Sequence, residues 1–335
     1  MSGHLAVVGA TGAVGQEFLR VLEQRRFPYE KITFLASARS AGKPIQFAGQ
    51  THTVQGLTES SFKGVTLALF SAGASVSRQF APLAAQAGCV VVDNSSAFRM
   101  DPQVPLVVPE VNPSDAFKHR GIIANPNCST IIMVVAVWPL HRVVPVTRMV
   151  VSTYQAASGA GYQAMLELEE QAREVLAGRK PVPKVLPHQI AFNLFSHNSK
   201  IGENGYNEEE MKMVKETRKM FHDDRIQITA TCVRVPVLRA HSEAINLTFS
   251  QPVAEQRVRE LLAAAPGIRV VDDRVKNYFP MPIESSDQDD VFVGRIRQDI
   301  SQPDGRGIDL FISGDQLRKG AALNAVQIAE LLLRG

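Results

Sequence analysis

The stretch Gly9-Ala10-Thr11-Gly12-Ala13-Val14-Gly15 constrains the fold of this chain more than any other. It follows an apolar run, residues 5–8, that reads as a buried strand, and it opens a helical segment, residues 13–26. Glycines at that junction let the backbone turn sharply and come close to a pyrophosphate, while the helix N-terminus offers N–H donors to the anion. The spacing is GxxGxxG rather than GxGxxG, but the strand–turn–helix context favours a nucleotide-binding turn over a tight turn with no ligand. Further short apolar runs, residues 32–36, 66–70, 90–93 and 121–124, alternate with helical pattern such as 76–87. This predicts an α/β unit built on a Rossmann-like, doubly wound parallel sheet.

The tip of the second strand bears on which dinucleotide would bind. It reads Ala36-Ser37-Ala38-Arg39-Ser40, with no acidic residue to hold the ribose 2′-hydroxyl of NAD. Arg39 with Ser37 and Ser40 would instead receive a 2′-phosphate, which points to NADP. An ordinary surface arginine is the other reading of Arg39.

Beyond residue 127 the pattern changes. Residues 148–154, 226–235, 243–249, 291–297 and 308–313 form longer runs, several alternating as strands of a sheet with one covered face. Helical segments at 163–176 and 253–264 separate some of them, so a second, α+β domain is expected. Residues 317–333 read as one helix returning to the first domain. The expected division is 1–127 completed by 315–335, with 128–314 as the catalytic and dimerisation domain. A chain of 335 residues suits two domains. The proline-rich residues 180–187 read as an exposed connection.

Composition narrows the partners. The net charge is +3, with no long run of lysine or arginine, so no nucleic-acid face is expected. The longest apolar stretch, residues 131–140, is too short to span a bilayer. Residues 1–4 lack the basic segment and apolar core of a signal peptide, which makes the cytoplasm the expected location. Cys89, Cys128 and Cys232 form no CxxC pair and have no histidines at zinc-ligand spacing, so neither a disulfide framework nor a metal site is expected.

Cys128 carries the strongest chemical signal. In Asn125-Pro126-Asn127-Cys128-Ser129-Thr130, the proline discourages helix before itself, and an apolar helical run follows. A thiol at such a helix entrance ionises more easily, because the dipole and the open N–H groups favour an anion. A thiolate facing a nicotinamide suggests aldehyde oxidation through a covalent thioester. That scheme needs an acid/base group, and His241 is the leading candidate, although a lone histidine also fits a structural role. Gln155 could orient the acyl carbonyl or be a solvated loop amide. Cys89 and Cys232 lie within strand-like runs and read as buried structural thiols.

At this point the chain resembles the aspartate-β-semialdehyde dehydrogenase family along essentially its whole length. The resemblance rests on the glycine-rich turn, Asp93-Asn94-Ser95-Ser96-Ala97-Phe98-Arg99, Asn125 to Cys128, Gln155 to Gly161, the Glu209/Lys212 pair, Arg234 to His241, and residues 291–297. It implies that Cys128 is the nucleophile, His241 the acid/base and Gln155 the group that positions the intermediate. It implies that Arg234 forks onto the substrate α-carboxylate, a planar bidentate task suited to guanidinium. Glu209 would hold the substrate amino group, and Arg99, Asn127 and Lys212 the inorganic phosphate. On spacing alone, Glu209 and Lys212 equally describe a helical ion pair. Cofactor contacts are expected at Gly9, Thr11, Gly12, Ala13, Val14, Gly15, Ser37, Arg39, Ser40, Ser71, Gly73, Asn94, Ser158, Gly161 and Asn324. Residues 284–290 lack a glycine expected in that loop. The implied reaction is the NADPH-dependent conversion of L-aspartyl 4-phosphate to L-aspartate 4-semialdehyde, in a homodimer that makes precursors of lysine, threonine, methionine and diaminopimelate. The alternative is N-acetyl-γ-glutamyl-phosphate reductase, against which a free-amino holder at Glu209 argues, or a related acyl-CoA or acyl-phosphate reductase.

Overall fold

The computed structural model describes residues 3–334. They divide into two compact units, one of residues 3–127 with 320–334 and one of residues 128–319.

The first unit begins β1 (His4–Val8), α1 (Ala13–Gln24), β2 (Lys31–Ala36), followed by a small antiparallel pair, β3 (Pro44–Phe47) and β4 (Gln50–Thr53). It continues through β5 (Gln55–Gly56), β6 (Leu67–Phe70), α2 (Ala74–Gln86), β7 (Val90–Asp93) and β8 (Ile122–Ala124). Six strands form one parallel sheet in the order β5-β2-β1-β6-β7-β8. β6 and most of β1 and β7 are buried, as expected where helices cover both faces of a parallel sheet. The β1/β6 neighbours mark the point where strand order reverses, and ligands bind beyond the carboxyl ends of the strands there.

The second unit runs α3 (Cys128–His141), β9 (Val146–Gln155), α4 (Tyr162–Leu176), β10 (Phe195–Ser196), α5 (Glu208–Phe221), β11 (Gln227–Arg234) and β12 (His241–Phe249). It ends with α6 (Glu255–Ala263), β13 (Ile268–Val270), α7 (Pro282–Ser285), β14 (Val291–Gln298) and β15 (Gly307–Gly314). Its mixed sheet has the order β10-β11-β9-β12-β15-β14-β13. α3 is apolar all round, and residues Ile131 to Val137 are all buried, as such a helix must be. It packs on β9, β12, β14 and β15 and against α5 and α6. The opposite face of the sheet alternates toward solvent, with Tyr154 exposed and its ring 6.2 Å from that of Phe311.

Three expectations need correction. The segment 317–333 is not one helix. A π-helical turn, Arg318–Ala322, precedes α8 (Leu323–Arg334). Asp315 Oδ1 accepts the N–H groups of Leu317 and Arg318, and Arg318 Nε donates to Asp289 at 2.9 Å, which ties residues 315–319 to the second unit rather than the first. α8 then supplies Val326, Ile328 and Ala329 to the first unit's core with Phe18 and Leu22. The connection 180–187 is pinned rather than simply exposed, because Glu167 of α4 accepts the N–H groups of Lys184, Val185 and Leu186 at 2.5, 2.9 and 2.9 Å. The third difference concerns α5, which the sequence shows only as a charged pair. Its capping box joins Asn207 and Glu210, a start signal that the hydrophobic pattern does not carry. Among the described residues no helix is long and apolar enough to cross a membrane.

Candidate active site

Cys128 is the first residue of α3 and half-buried, whereas residues 129–137 after it sink into the core. Parallel register pairs Arg234 at the end of β11 with Gln155 at the end of β9. On the other side of β9, Ser242 pairs with Tyr154, so His241 at the start of β12 falls beside Gln155. Three strand ends thus present Arg234, Gln155 and His241 in one row on the covered face.

The Gln155 amide nitrogen donates to Ser129 Oγ at 3.0 Å and to Glu209 Oε1 at 3.1 Å. Gln155 thereby holds the residue after the nucleophile and the carboxylate of α5 in one network. The other Glu209 oxygen lies 3.0 Å from Lys212 Nζ, one helical turn on. Arg234 Nη1 donates to Ala156 O at 3.2 Å, and its Nη2 lies 2.8 Å from His197 Nε2. His241 is wholly buried, and its Nδ1 accepts the Ala156 N–H at 3.0 Å. Accepting that bond places the neutral ring's proton on Nε2. His241 Nε2 and Arg234 Nε are both buried without a hydrogen-bond partner, the condition of groups waiting for a ligand.

Two backbone features keep this space open. A Cβ on Gly159 would come within 2.9 Å of Arg234 Nη1 and 3.1 Å of His241 Nε2, so a larger residue there would displace the guanidinium and the imidazole by a few tenths of an ångström. Ala240 has a left-handed φ of 69° and gives its N–H to Gln316 Oε1 at 2.9 Å, which turns the chain into β12.

Electrostatics distinguish the groups. Burial, reinforced by the Arg234 charge, holds His241 down at about 3, and Glu209 only partly offsets this. Burial likewise lowers His197 to about 4, with Arg234 and Lys212 adding to the effect and Glu209 opposing it. Burial pushes the Cys89 thiol up to about 12 and raises Cys232 further, which leaves both inert as nucleophiles at neutral pH. Glu243, two residues along β12 from His241, is fully buried with neither oxygen hydrogen-bonded, and burial raises its carboxyl well above the usual range.

In the first unit the glycine-rich turn has the form a pyrophosphate needs. Gly9 has φ 85°, and any Cβ there would strike the Ser71 carbonyl, while one on Gly15 would strike Gly9 O. α1 starts at Ala13 with Gly12 as its N-cap and no side chain capping the first turn, so the N–H groups of Ala13, Val14 and Gly15 are available to an anion. Thr11 Oγ1 lies 3.5 Å from Ser40 Oγ, and Arg39 stands exposed on the short 3-10 turn after β2. Ser37, Ser71 and Asn94 each follow the carboxyl end of a strand, and Gly73, with φ 88°, caps α2. These residues fit a dinucleotide with a phosphorylated ribose. Asn324 Nδ2 donates to Asn125 Oδ1 at 2.7 Å, and Asn125 Nδ2 to Asn94 Oδ1 at 2.7 Å. Arg99 donates to the carbonyls of Asn125 and Asn94 at 2.9 and 3.0 Å.

Comparison with known proteins agrees with this geometry. A semialdehyde dehydrogenase NAD binding domain matches residues 4–119, and a semialdehyde dehydrogenase dimerisation domain matches residues 137–319. A relative from Synechocystis sp., described as aspartate-semialdehyde dehydrogenase, is 58% identical over 330 residues, covering 98% of this chain and 97% of its own. The chain belongs to the aspartate-semialdehyde dehydrogenase family. Among solved structures, aspartate semialdehyde dehydrogenase II from Vibrio cholerae complexed with ASA superposes with a TM-score of 0.96 at 45% identity, over 100% of this chain and 99% of that one. The Candida albicans aspartate semialdehyde dehydrogenase with NADP has a TM-score of 0.76 at 26% identity, over 99% and 98%.

For a chain of this family, the second unit brings Gln155, Glu209, Lys212, Arg234 and His241 together on the α3 side of its sheet, with Cys128 at the start of that helix. The first unit gathers Arg99 with Asn94, Asn125 and Asn324, and carries Asn127 at its end. Ser158 and Gly161 lie in the second unit. The Ser158 hydroxyl is buried and bonded by Gln316, and Gly161, with φ 97°, caps α4. The sequence reading missed His197, Ser129 and Glu243. His197 follows a two-residue strand and carries no motif; its only signal is where the sheet puts it.

Proposed function

We propose that this chain reduces L-aspartyl 4-phosphate to L-aspartate 4-semialdehyde and works reversibly, the semialdehyde being the compound for which its relatives are named. The observation that carries this reading is the convergence of a guanidinium, a carboxylate and an unpartnered imidazole Nε2 on the covered face of the second sheet. An α-amino acid presents a carboxylate and an ammonium at one carbon. Arg234 takes the first and Glu209 the second, with Gln155 holding Glu209 in place.

Cys128 attacks the acyl carbon as thiolate, its sulfur–carbon bond replacing the carbon–oxygen bond to phosphate. Arg99, Asn127 and Lys212 hold the phosphate. NADP, when bound in reduced form by residues 9–15, Ser37, Arg39, Ser40, Ser71, Gly73, Asn94 and Asn324, supplies the hydride. His241 Nε2–H donates to the oxygen of the Cys128 adduct as negative charge gathers there, and the carbon–sulfur bond then breaks to release aldehyde and thiolate. The resting hydrogen bond from Ala156 thus supports the donor half of the acid/base role expected for His241. Docking of a carboxylate on Arg234 offsets the charge that depresses His241, so the ring gains basicity when the site is loaded.

The outward face of the second sheet, with Tyr154 and Phe311, is assigned to a homodimer, supported by the match to a dimerisation domain. The reaction is assigned to the cytoplasm, where Cys128 stays reduced. The test is absorbance of NADPH during oxidation of L-aspartate 4-semialdehyde. NADPH formation must require phosphate and must vanish in Cys128→Ala, with NADP binding retained. NADPH formation that ignores phosphate would sink the acyl-phosphate assignment.

A further inference from the structure

Arg234 is held by acceptors of an unusual kind for a buried guanidinium. A guanidinium has only donors, and at this depth its customary partner is a carboxylate. Here its two hydrogen-bond acceptors are both neutral: the carbonyl of Ala156 at 3.2 Å and the Nε2 of His197 at 2.8 Å. Because Arg234 cannot accept, His197 Nε2 must, so the imidazole is uncharged and carries its proton on Nδ1. That nitrogen lies 3.1 Å from Ser199 Oγ, to which it donates and which also accepts the backbone N–H of Glu209 at 3.1 Å; the Ser199 backbone N–H stands farther off, at 3.3 Å from the same nitrogen, and a neutral ring that accepts the shorter 2.8 Å bond from Arg234 cannot also accept there.

The sheet fixes the ring's position. β10 runs antiparallel to β11, with Phe195 opposite Arg234 and Ser196 opposite Val233, and the His197 N–H continues the ladder to Cys232 O at 2.8 Å. A chain of contacts therefore runs from Arg234 through His197 and Ser199 to the start of α5 at Glu209. These are the two residues assigned to the substrate's carboxylate and ammonium.

We propose that His197 is a positioning residue for substrate binding, a neutral acceptor that fixes the Arg234 guanidinium while leaving its charge for the substrate carboxylate. The inference rests on the reading of Arg234 as the carboxylate anchor. A carboxylate at position 197 would hold the guanidinium at least as firmly, but it would compete with the substrate for the same charge. A side chain without an acceptor would leave a buried Nη2 donor unmatched and the fork free to turn. Burial, opposed by Glu209 and aided by Arg234 and Lys212, keeps the ring neutral at neutral pH.

The test is steady-state kinetics of the whole enzyme on L-aspartate 4-semialdehyde, with phosphate and NADP saturating. His197→Leu raises the KM for the semialdehyde about tenfold, with kcat and the KM for NADP little changed, and His197→Gln, whose amide oxygen can accept from Arg234, restores most of it. His197→Glu raises that KM even if its melting temperature equals that of wild type. A merely structural role would move stability and KM together and would not separate Gln from Glu. If His197→Leu does not fold, the Gln and Glu variants decide: equal KM values overturn the proposal. Arg234→Lys separates the two layers of the argument. If it leaves the KM unmoved, the carboxylate reading fails and this inference with it. If it raises the KM while the His197 variants do not, only the role of His197 is overturned.

Discussion

In the first unit, the groups assigned to the cofactor are mostly backbone N–H groups and exposed side chains at the ends of parallel strands. In the second, those assigned to the substrate are buried side chains from β9, β11, β12 and α5, joined by hydrogen bonds. A site made of backbone tolerates changes of side chain but not the arrival of a Cβ. A site made of buried side chains depends on each neighbour that orients them, and its groups show displaced ionisation. The proposed cofactor site thus relies on shape at glycines, and the proposed substrate site on a desolvated charge network.

The sharpest way to break this contrast is to put a Cβ into the second site. Gly159→Ala should lower kcat/KM about 100-fold, because small displacements of reacting groups are costly. NADP binding measured by fluorescence should be unchanged. An unaltered rate would mean that Arg234 and His241 give way freely and that the network is looser than its hydrogen bonds suggest. A smaller effect is expected at the exposed end of the first site. Arg39→Ala should raise the KM for NADP about tenfold through loss of one charge-assisted contact, with the KM for NAD barely altered. Equal changes for both cofactors would remove Arg39 from the 2′-phosphate.

Stability against pH separates the two sites in another way. His241 and His197 titrate near 3 and 4 in the folded chain, below the ordinary histidine value. Above pH 6.5 both are neutral folded or unfolded, and they add no slope. Below it the unfolded chain takes up protons that the fold refuses, so stability falls with decreasing pH by up to about 1.4 kcal/mol per unit for each ring. His197→Gln should flatten that fall in urea titrations between pH 4 and 6.5. Glu243 acts with the opposite sign. Its raised carboxyl contributes stability at low pH that is lost as pH rises above 4.5. Glu243→Gln should therefore gain stability at pH 8 relative to pH 5, and no difference would mean that the carboxyl finds a partner when ionised.

The first unit was legible because its signals are local. The strand, the glycine turn and the helix lie within about twenty residues, and the absence of an acid near Arg39 could be read from five letters. Cys128 was legible for the same reason, since Pro126 and the apolar run mark the helix start. Arg234, Glu209 and Gln155 could be placed only through resemblance. Their meeting depends on the register of strands nearly eighty residues apart, which no local pattern encodes. His197 escaped altogether, because its significance comes from an edge strand of two residues. The helix expected across residues 317–333 failed at its first turn, where Arg318 is drawn to Asp289 by a bond 29 residues long in sequence that no local pattern encodes.

Arg234, Gln155 and His241 occupy the covered side of a pleat whose other side carries Tyr154 and Phe311. Alternation along a strand has a period of two. An odd-numbered insertion or deletion within β9 would therefore exchange the two sides, sending the amide outward and the tyrosine toward the thiol. Length variation among natural or engineered relatives should accumulate in the connections between these strands. Inside them it should be confined to paired changes or bulges, because the covered face and the outward face are copied from a single count of residues.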